Sequence, residues 1–150
     1  MKQTCLPTPQ KGSYALLLSL EHPARIQVGR LGFLIFNPGF YVYTGSALGS
    51  GGLNARLKHH QTPSSKPHWH IDYLKPDMRL LGACLAGREQ RLECVWSKRL
   101  ASLEGSFIPA AGFGASDCRE GCAAHLVGFS IEISLEQLGG ILEVETRIIP

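Results

Sequence analysis

Tyr14, Tyr43, Arg56, His60 and Glu93 supply the side-chain types that attack on a phosphodiester requires. One group must take a proton from water, cationic donors must meet the charged oxygens, and a carboxylate must fix a divalent ion. A phenol is a weak base at neutral pH, its reference pKa being about 10, so a tyrosine in that role needs Arg56 or a metal beside it. Arg56 and His60 stand at i,i+4 spacing on a predicted helix, which puts both heads on one face. Taken by themselves, the two tyrosines read equally well as strand residues with satisfied hydroxyls, and Glu93 as a solvated helix residue.

Other groupings are open to chemistry. His68-Trp69-His70-Ile71-Asp72 has the spacing of a two-histidine, one-carboxylate zinc motif found in metallo-β-lactamase-like hydrolases. There the next residue is usually histidine, whereas here it is Tyr73, and 150 residues are short for that two-sheet fold. Cys118, Cys122 and His125 form a candidate metal cluster that only Cys94 or Cys84 could complete from afar, and a packed thiol pair is the expectation. A Cys-His nucleophile pair lacks an oxyanion element. Gly49 to Gly52 lacks the lysine and hydroxyl pattern of a phosphate-binding loop and reads as a flexible helix entry.

Composition bounds the setting. The 150 residues are 44% hydrophobic, enough to bury a core without a disulfide or structural metal, and one domain over 12–150 behind a flexible arm, 1–11, is expected. A net charge of +3 with 18% charged residues shows no strongly basic tail, so a nucleic-acid site must be local. No apolar run approaches the roughly 18 residues of a membrane span, and five scattered cysteines do not resemble a secreted disulfide framework. The expected compartment is the cytoplasm, with no membrane partner.

The chemistry-bearing residues sit on predicted elements. Ala15 to Leu20 reads as a buried strand. Alternation at Ile26 and Val28, then Phe33 to Phe36, a turn at Asn37-Pro38-Gly39 and Phe40 to Tyr43 suggest an antiparallel meander. A helix is expected to begin near Leu53 and to carry Arg56 and His60. His68 to Leu74 reads as a short helix or ordered turn, Met78 to Ala86 as a strand, and Arg88 to Leu103 as the longest helix. Leu92, Trp96, Leu100 and Leu103 form that helix's apolar stripe, with Glu93 at its edge. A glycine-rich loop over 105–122, a strand over Leu126 to Ile133 and a short helix started by Ser134 complete the chain.

Gly12-Ser13-Tyr14 and Tyr43-Thr44-Gly45, followed in order by Arg56, His60 and Glu93, resemble the name-giving elements and site residues of the GIY-YIG nucleases. The longer blocks Tyr41 to Ala47, Arg56 to His60, His68 to Leu74, Glu93-Cys94, Ser116 to Cys118 and His125-Leu126 resemble an uncharacterised branch of that superfamily, some members of which are joined to an endonuclease III-type repair glycosylase. Ser13 and Thr44 stand where the family has hydrophobic residues, and the stretch from Tyr14 to Tyr43 has room for extra strands. The resemblance implies an α/β (α+β) fold with a central antiparallel β-sheet flanked by helices and extra strands between the motif halves. It implies a metal-dependent endonuclease hydrolysing phosphodiester bonds in DNA rather than RNA, in a repair context. Tyr14, Tyr43, Arg56, His60 and Glu93 would be catalytic and converge on one concave surface. Glu93 would hold Mg2+ or Mn2+, and Gly45, Ser46, His68 and His70 would contact substrate, with Asp72 orienting one of those histidines. A nucleic-acid-binding domain that kept the fold without cutting, and a zinc-dependent hydrolase, are the alternatives.

Overall fold

The structure is a computed structural model that describes residues 10–63, 65–116 and 118–149. The expected arm therefore lies outside the described residues except for Gln10 and Lys11, and the carbonyl of Gln10 accepts the amide of Leu53 at 2.7 Å. The almost continuous apolar run Gly12–Leu20 forms β1, and such a run fits a strand covered on both faces. It pairs antiparallel with β4 (Gly39–Ala47) on one side and β5 (Arg79–Ala86) on the other. Beyond β4 lie β7 (Leu126–Phe129) and the two-residue β6 (Ser106–Phe107), and beyond β5 lies β8 (Glu145–Ile148). The order is β6-β7-β4-β1-β5-β8, every pairing antiparallel. The extra strands β2 (Ala24–Gln27) and β3 (Phe33–Phe36) pair with each other as a separate two-stranded sheet.

Strand alternation divides the core into two layers. Tyr14, Leu16, Leu18 and Leu20 pack with Leu53 and Leu57 of α1 (Gly52–Gln61) and with Ile26 and Phe36 of the small sheet. Ala15 and Leu17 point the other way, onto Trp96 and Leu100 of α2 (Glu93–Ala101) and Leu138 and Leu142 of α3 (Leu135–Leu142). Helices thus flank a central antiparallel sheet, as the sequence implies. Among the described residues no helix is long and apolar enough to cross a membrane.

Three expectations change. The helix expected over Arg88 to Leu103 spans only Glu93–Ala101 and is shorter than α1, because the backbone before it is held to β1: the Leu92 amide donates to Ser13 Oγ at 3.0 Å, and Ser13 Oγ donates to the Gln90 carbonyl at 3.3 Å. The strand from Leu126 stops at Phe129 rather than Ile133, since its partner β4 begins at Gly39 and the last pair is Phe40 with Phe129. The edge strands β6 and β8 lie where no strand is predicted.

Register explains Gly45. Tyr14 lies opposite it across β1 and β4, and a Cβ there would stand 2.5 Å from the Tyr14 ring. Gly45→Ala should therefore cost about 1–3 kcal/mol by overpacking. In a Tyr14→Leu background, whose shorter side chain stops short of that point, the same substitution should cost under about 1 kcal/mol. Urea denaturation of wild type and the three variants measures the difference, and equal costs in both backgrounds would contradict the steric account.

Candidate active site

β1 and β4 present Tyr14 and Tyr43 on the same face, offset by one diagonal step because Tyr43 lies opposite Leu16. Their ring centroids are 6.5 Å apart. The chain leaves β4, turns through glycines including Gly51 at φ 89°, and enters α1. Leu53, Leu57 and His60 recur there at helical spacing and face the sheet. His60 is thereby set against both tyrosines, with ring centroids 5.2 Å from Tyr14 and 6.2 Å from Tyr43. The Tyr14 hydroxyl lies 2.8 Å from His60 Nε2.

Arg56, one turn earlier on α1, lies half-buried over the ring of Trp69 at 4.3 Å and is close enough to the Tyr14 oxygen to hydrogen-bond with it. Glu93, in the first turn of α2, is also half-buried, and its charge acts on both phenols. Tyr14, Tyr43, His60 and Arg56 come together, while Glu93 is joined to them by the reach of its charge to both phenols. The arrangement is buried rather than an open concavity: Tyr14, Tyr43 and His60 are at most 5% exposed, and the half-buried Arg56 and Glu93 make its rim.

Burial dominates the electrostatics. It pushes the Tyr14 hydroxyl well above the usual phenol range, against the pull of Arg56. It does the same to Tyr43, helped by the neighbouring phenol and by Glu93. Burial, with the charges of Lys75 and His59, brings His60 down to about 3. The resting pair is therefore neutral, with the proton on Tyr14. Counting donors assigns the tautomer. Arg56 can only donate to the Tyr14 oxygen, so the phenolic proton needs an acceptor, and His60 Nε2 provides it. Within the pair, that arrangement leaves His60 Nδ1–H alone without a partner among the described residues, whereas the opposite tautomer would strand both the phenol proton and the Nδ1 lone pair.

The segment 68–75 closes one side. Burial opposes charge on Asp72, but the amides of Trp69 and His68, Lys75 and His59 outweigh it and hold the carboxyl at about 2. Those donors lie 2.8 to 3.1 Å from its oxygens. Asp72 thus orients His59 rather than His68 or His70 as expected. His70 instead accepts the Gly114 amide at Nδ1, 2.7 Å away, and packs on Phe113, while His68 is exposed against Trp69. The His-x-His-x-Asp spacing consequently does not gather its three side chains around a point. Gly45 gives room to Tyr14, and Ser46 lies on the opposite face with its hydroxyl 3.5 Å from that of Ser13. A cleft of about 530 Å³ includes His60, Asp72 and Lys75 but none of Tyr14, Tyr43, Arg56 and Glu93.

Sequence reasoning passes over Ser13, Trp69, His59 and Lys75. Ser13 carried a signal, since a hydroxyl inside a buried apolar strand must find a partner. The others are recognised only once α1 and the segment 68–75 are brought together.

Stability should report the neutral histidine. His60 has a folded pKa near 3 against about 6.5 unfolded, so between these values the unfolded chain binds the extra proton. Its contribution is fully present above pH 6.5 and is lost as pH falls toward 3, at up to about 1.4 kcal/mol per unit. His70, lowered by burial, acts in the same direction, and Asp72 adds only below about pH 3.8. Unfolding free energies from urea titrations between pH 7 and 4 should fall in wild type and fall less steeply in His60→Gln. Parallel slopes would exclude a buried neutral His60.

The family model described as "Domain of unknown function DUF123" matches residues 13–143, which include every residue of the cluster. No curated protein and no solved structure matches the chain. The chain is a member of the DUF123 family.

Proposed function

We propose that this protein is a metal-dependent endonuclease that hydrolyses phosphodiester bonds in DNA, as its resemblance to the GIY-YIG nucleases implies. The observation that carries the reading is the neutral Tyr14–His60 pair, with Tyr43 beside it and Arg56 and Glu93 at its accessible rim. A phosphate resting on that rim would meet a guanidinium placed over the Trp69 ring, of a kind able to offer two parallel hydrogen bonds. Tyr43 adds a phenol donor. A proton leaving the attacking water would pass to the Tyr14 oxygen while the phenolic proton moves to His60 Nε2, so that the charge sits on a transient His60 imidazolium and not on a buried phenolate.

The residues fit a magnesium ion. Among the described residues Glu93 pairs with Arg91, at 3.7 Å, and keeps carboxylate acceptor sites for a cation, whereas both Asp72 oxygens are already taken. One carboxylate at an open rim suits an ion that keeps most of its waters. Bound there, it would supply positive charge to the phosphate oxygens. A repair context follows only from the family resemblance and is part of the proposal.

Nicking of supercoiled plasmid by the purified protein in magnesium tests the reading. Glu93→Gln should fold, retain DNA binding and lose cleavage by roughly a hundred- to a thousand-fold, whereas Arg56→Ala should weaken both binding and cutting. Wild-type nicking by folded Glu93→Gln would refute the mechanism. DNA retention without nicking by wild type would leave a binding domain in place of an enzyme.

A further inference from the structure

A second cluster lies apart from the tyrosine pair. The loop from Ile108 to His125 contains no helix or strand among its described residues, and loops of that length are uncommon without something to hold them. Glycines at positive φ, Gly112, Gly114 and Gly121, shape it but bury little. Cys118 and Cys122 in this loop, His125 at its end and Cys94 on the first turn of α2 bring three sulfurs and one imidazole nitrogen within 4.8 Å of one another.

We propose that Cys94, Cys118, Cys122 and His125 bind one zinc ion tetrahedrally and that this ion fastens the loop to α2. The distances suit it. Zn–S and Zn–N bonds of about 2.3 and 2.0–2.1 Å imply tetrahedral edges of about 3.8 Å between sulfurs and about 3.6 Å between sulfur and nitrogen. Cys94 Sγ lies 3.5 Å from Cys118 Sγ and 3.5 Å from His125 Nε2. A disulfide would need about 2.05 Å, and these cysteines are free. Ligands spread over two irons of a cluster would stand farther apart than one ion requires.

The surroundings aim the ligands. The amide of His125 donates to the Phe113 carbonyl and its carbonyl accepts from the Thr44 amide on β4, at 2.7 and 2.9 Å, which fixes the backbone that carries the imidazole. Ser97 and Lys98 of α2 donate to the carbonyls of Ala124 and Glu120 in the same loop. Four protein ligands leave no open position for substrate, which marks a structural rather than a catalytic ion. On binding, each thiol releases its proton to solvent and the ion keeps its charge, so no electron changes hands. The site is also linked to the first cluster. Cys94 follows Glu93 directly, and Phe113 and Gly114 of the clamped loop pack on Tyr43 and hold His70.

Metal analysis of the full chain, purified under reducing conditions without added zinc, should find one zinc per chain. Cobalt added to the chelator-stripped protein should produce the visible bands and thiolate charge-transfer absorption of a tetrahedral sulfur-rich site. Cys118→Ser and Cys94→Ser should each lower zinc affinity by more than a hundred-fold, while Cys84→Ser and Glu93→Gln keep full occupancy. Chelation should lower the wild-type Tm. The proposal is overturned if stripped wild type gives no cobalt spectrum, if iron with sulfide is found in place of zinc, or if the Cys118 and Cys94 variants keep wild-type occupancy. The wild-type cobalt titration decides the matter even where a cysteine variant fails to fold.

Discussion

The hydrogen bond between Tyr14 and His60, 2.8 Å long and buried, constrains the rest of the site. A buried polar pair of this kind is stable only if each partner satisfies the other, since a stranded group costs on the order of 1–3 kcal/mol. That requirement fixes the height of α1 above the sheet, which Leu53 and Leu57 hold by packing on the same face. It also requires the phenol ring to lie over β4, where only a residue without a Cβ leaves room, and Gly45 is that residue. The low dielectric that makes the bond strong keeps both groups uncharged at rest, so a charge left on the imidazole by proton transfer must be short-lived.

Two adjacent residues of β1 tie the halves of the site together. Tyr14 points to α1, which carries Arg56, and Ser13 points to the opposite face, where it holds the backbone that leads into α2 and Glu93. Alternation along a strand makes this division automatic. The cation and the carboxylate of the rim are thus positioned from neighbouring places on the most buried strand, although the residues themselves are far apart in the chain. The Cys-His cluster adds a third tether, between α2 and the loop packed on Tyr43.

Much of this was legible in the sequence. The apolar run of β1, the glycine entry to α1 and the Ser134 cap with Gln137 announce themselves locally, and each appears where expected. The family resemblance carried by the ordered tyrosines, Arg56 and His60 anticipates that these four meet, whereas Glu93 is joined to them only through its charge. What local patterns could not convey was depth. Nothing in the types of Tyr14 and His60 tells that they face each other beneath the surface, because burial depends on the docking of α1 and the segment 68–75. The edge strands escaped for another reason. β8 is short, polar and paired on one side only, so it lacks the two-sided burial that makes a strand visible. Asp72 was placed with the wrong histidine, since His59 lies on another element and proximity in sequence favoured His68 and His70.

The central claim is that the site rests on an uncharged Tyr14–His60 pair with the imidazole accepting through Nε2. Imidazole nitrogen-15 NMR of the labelled protein reads this directly, since neutral and protonated rings and the two tautomers give distinct nitrogen shifts. His60 should remain neutral, with Nδ1 protonated and Nε2 bare, throughout pH 5 to 8. A His60 ring that titrates near 6.5, or that carries its proton on Nε2, would contradict the account.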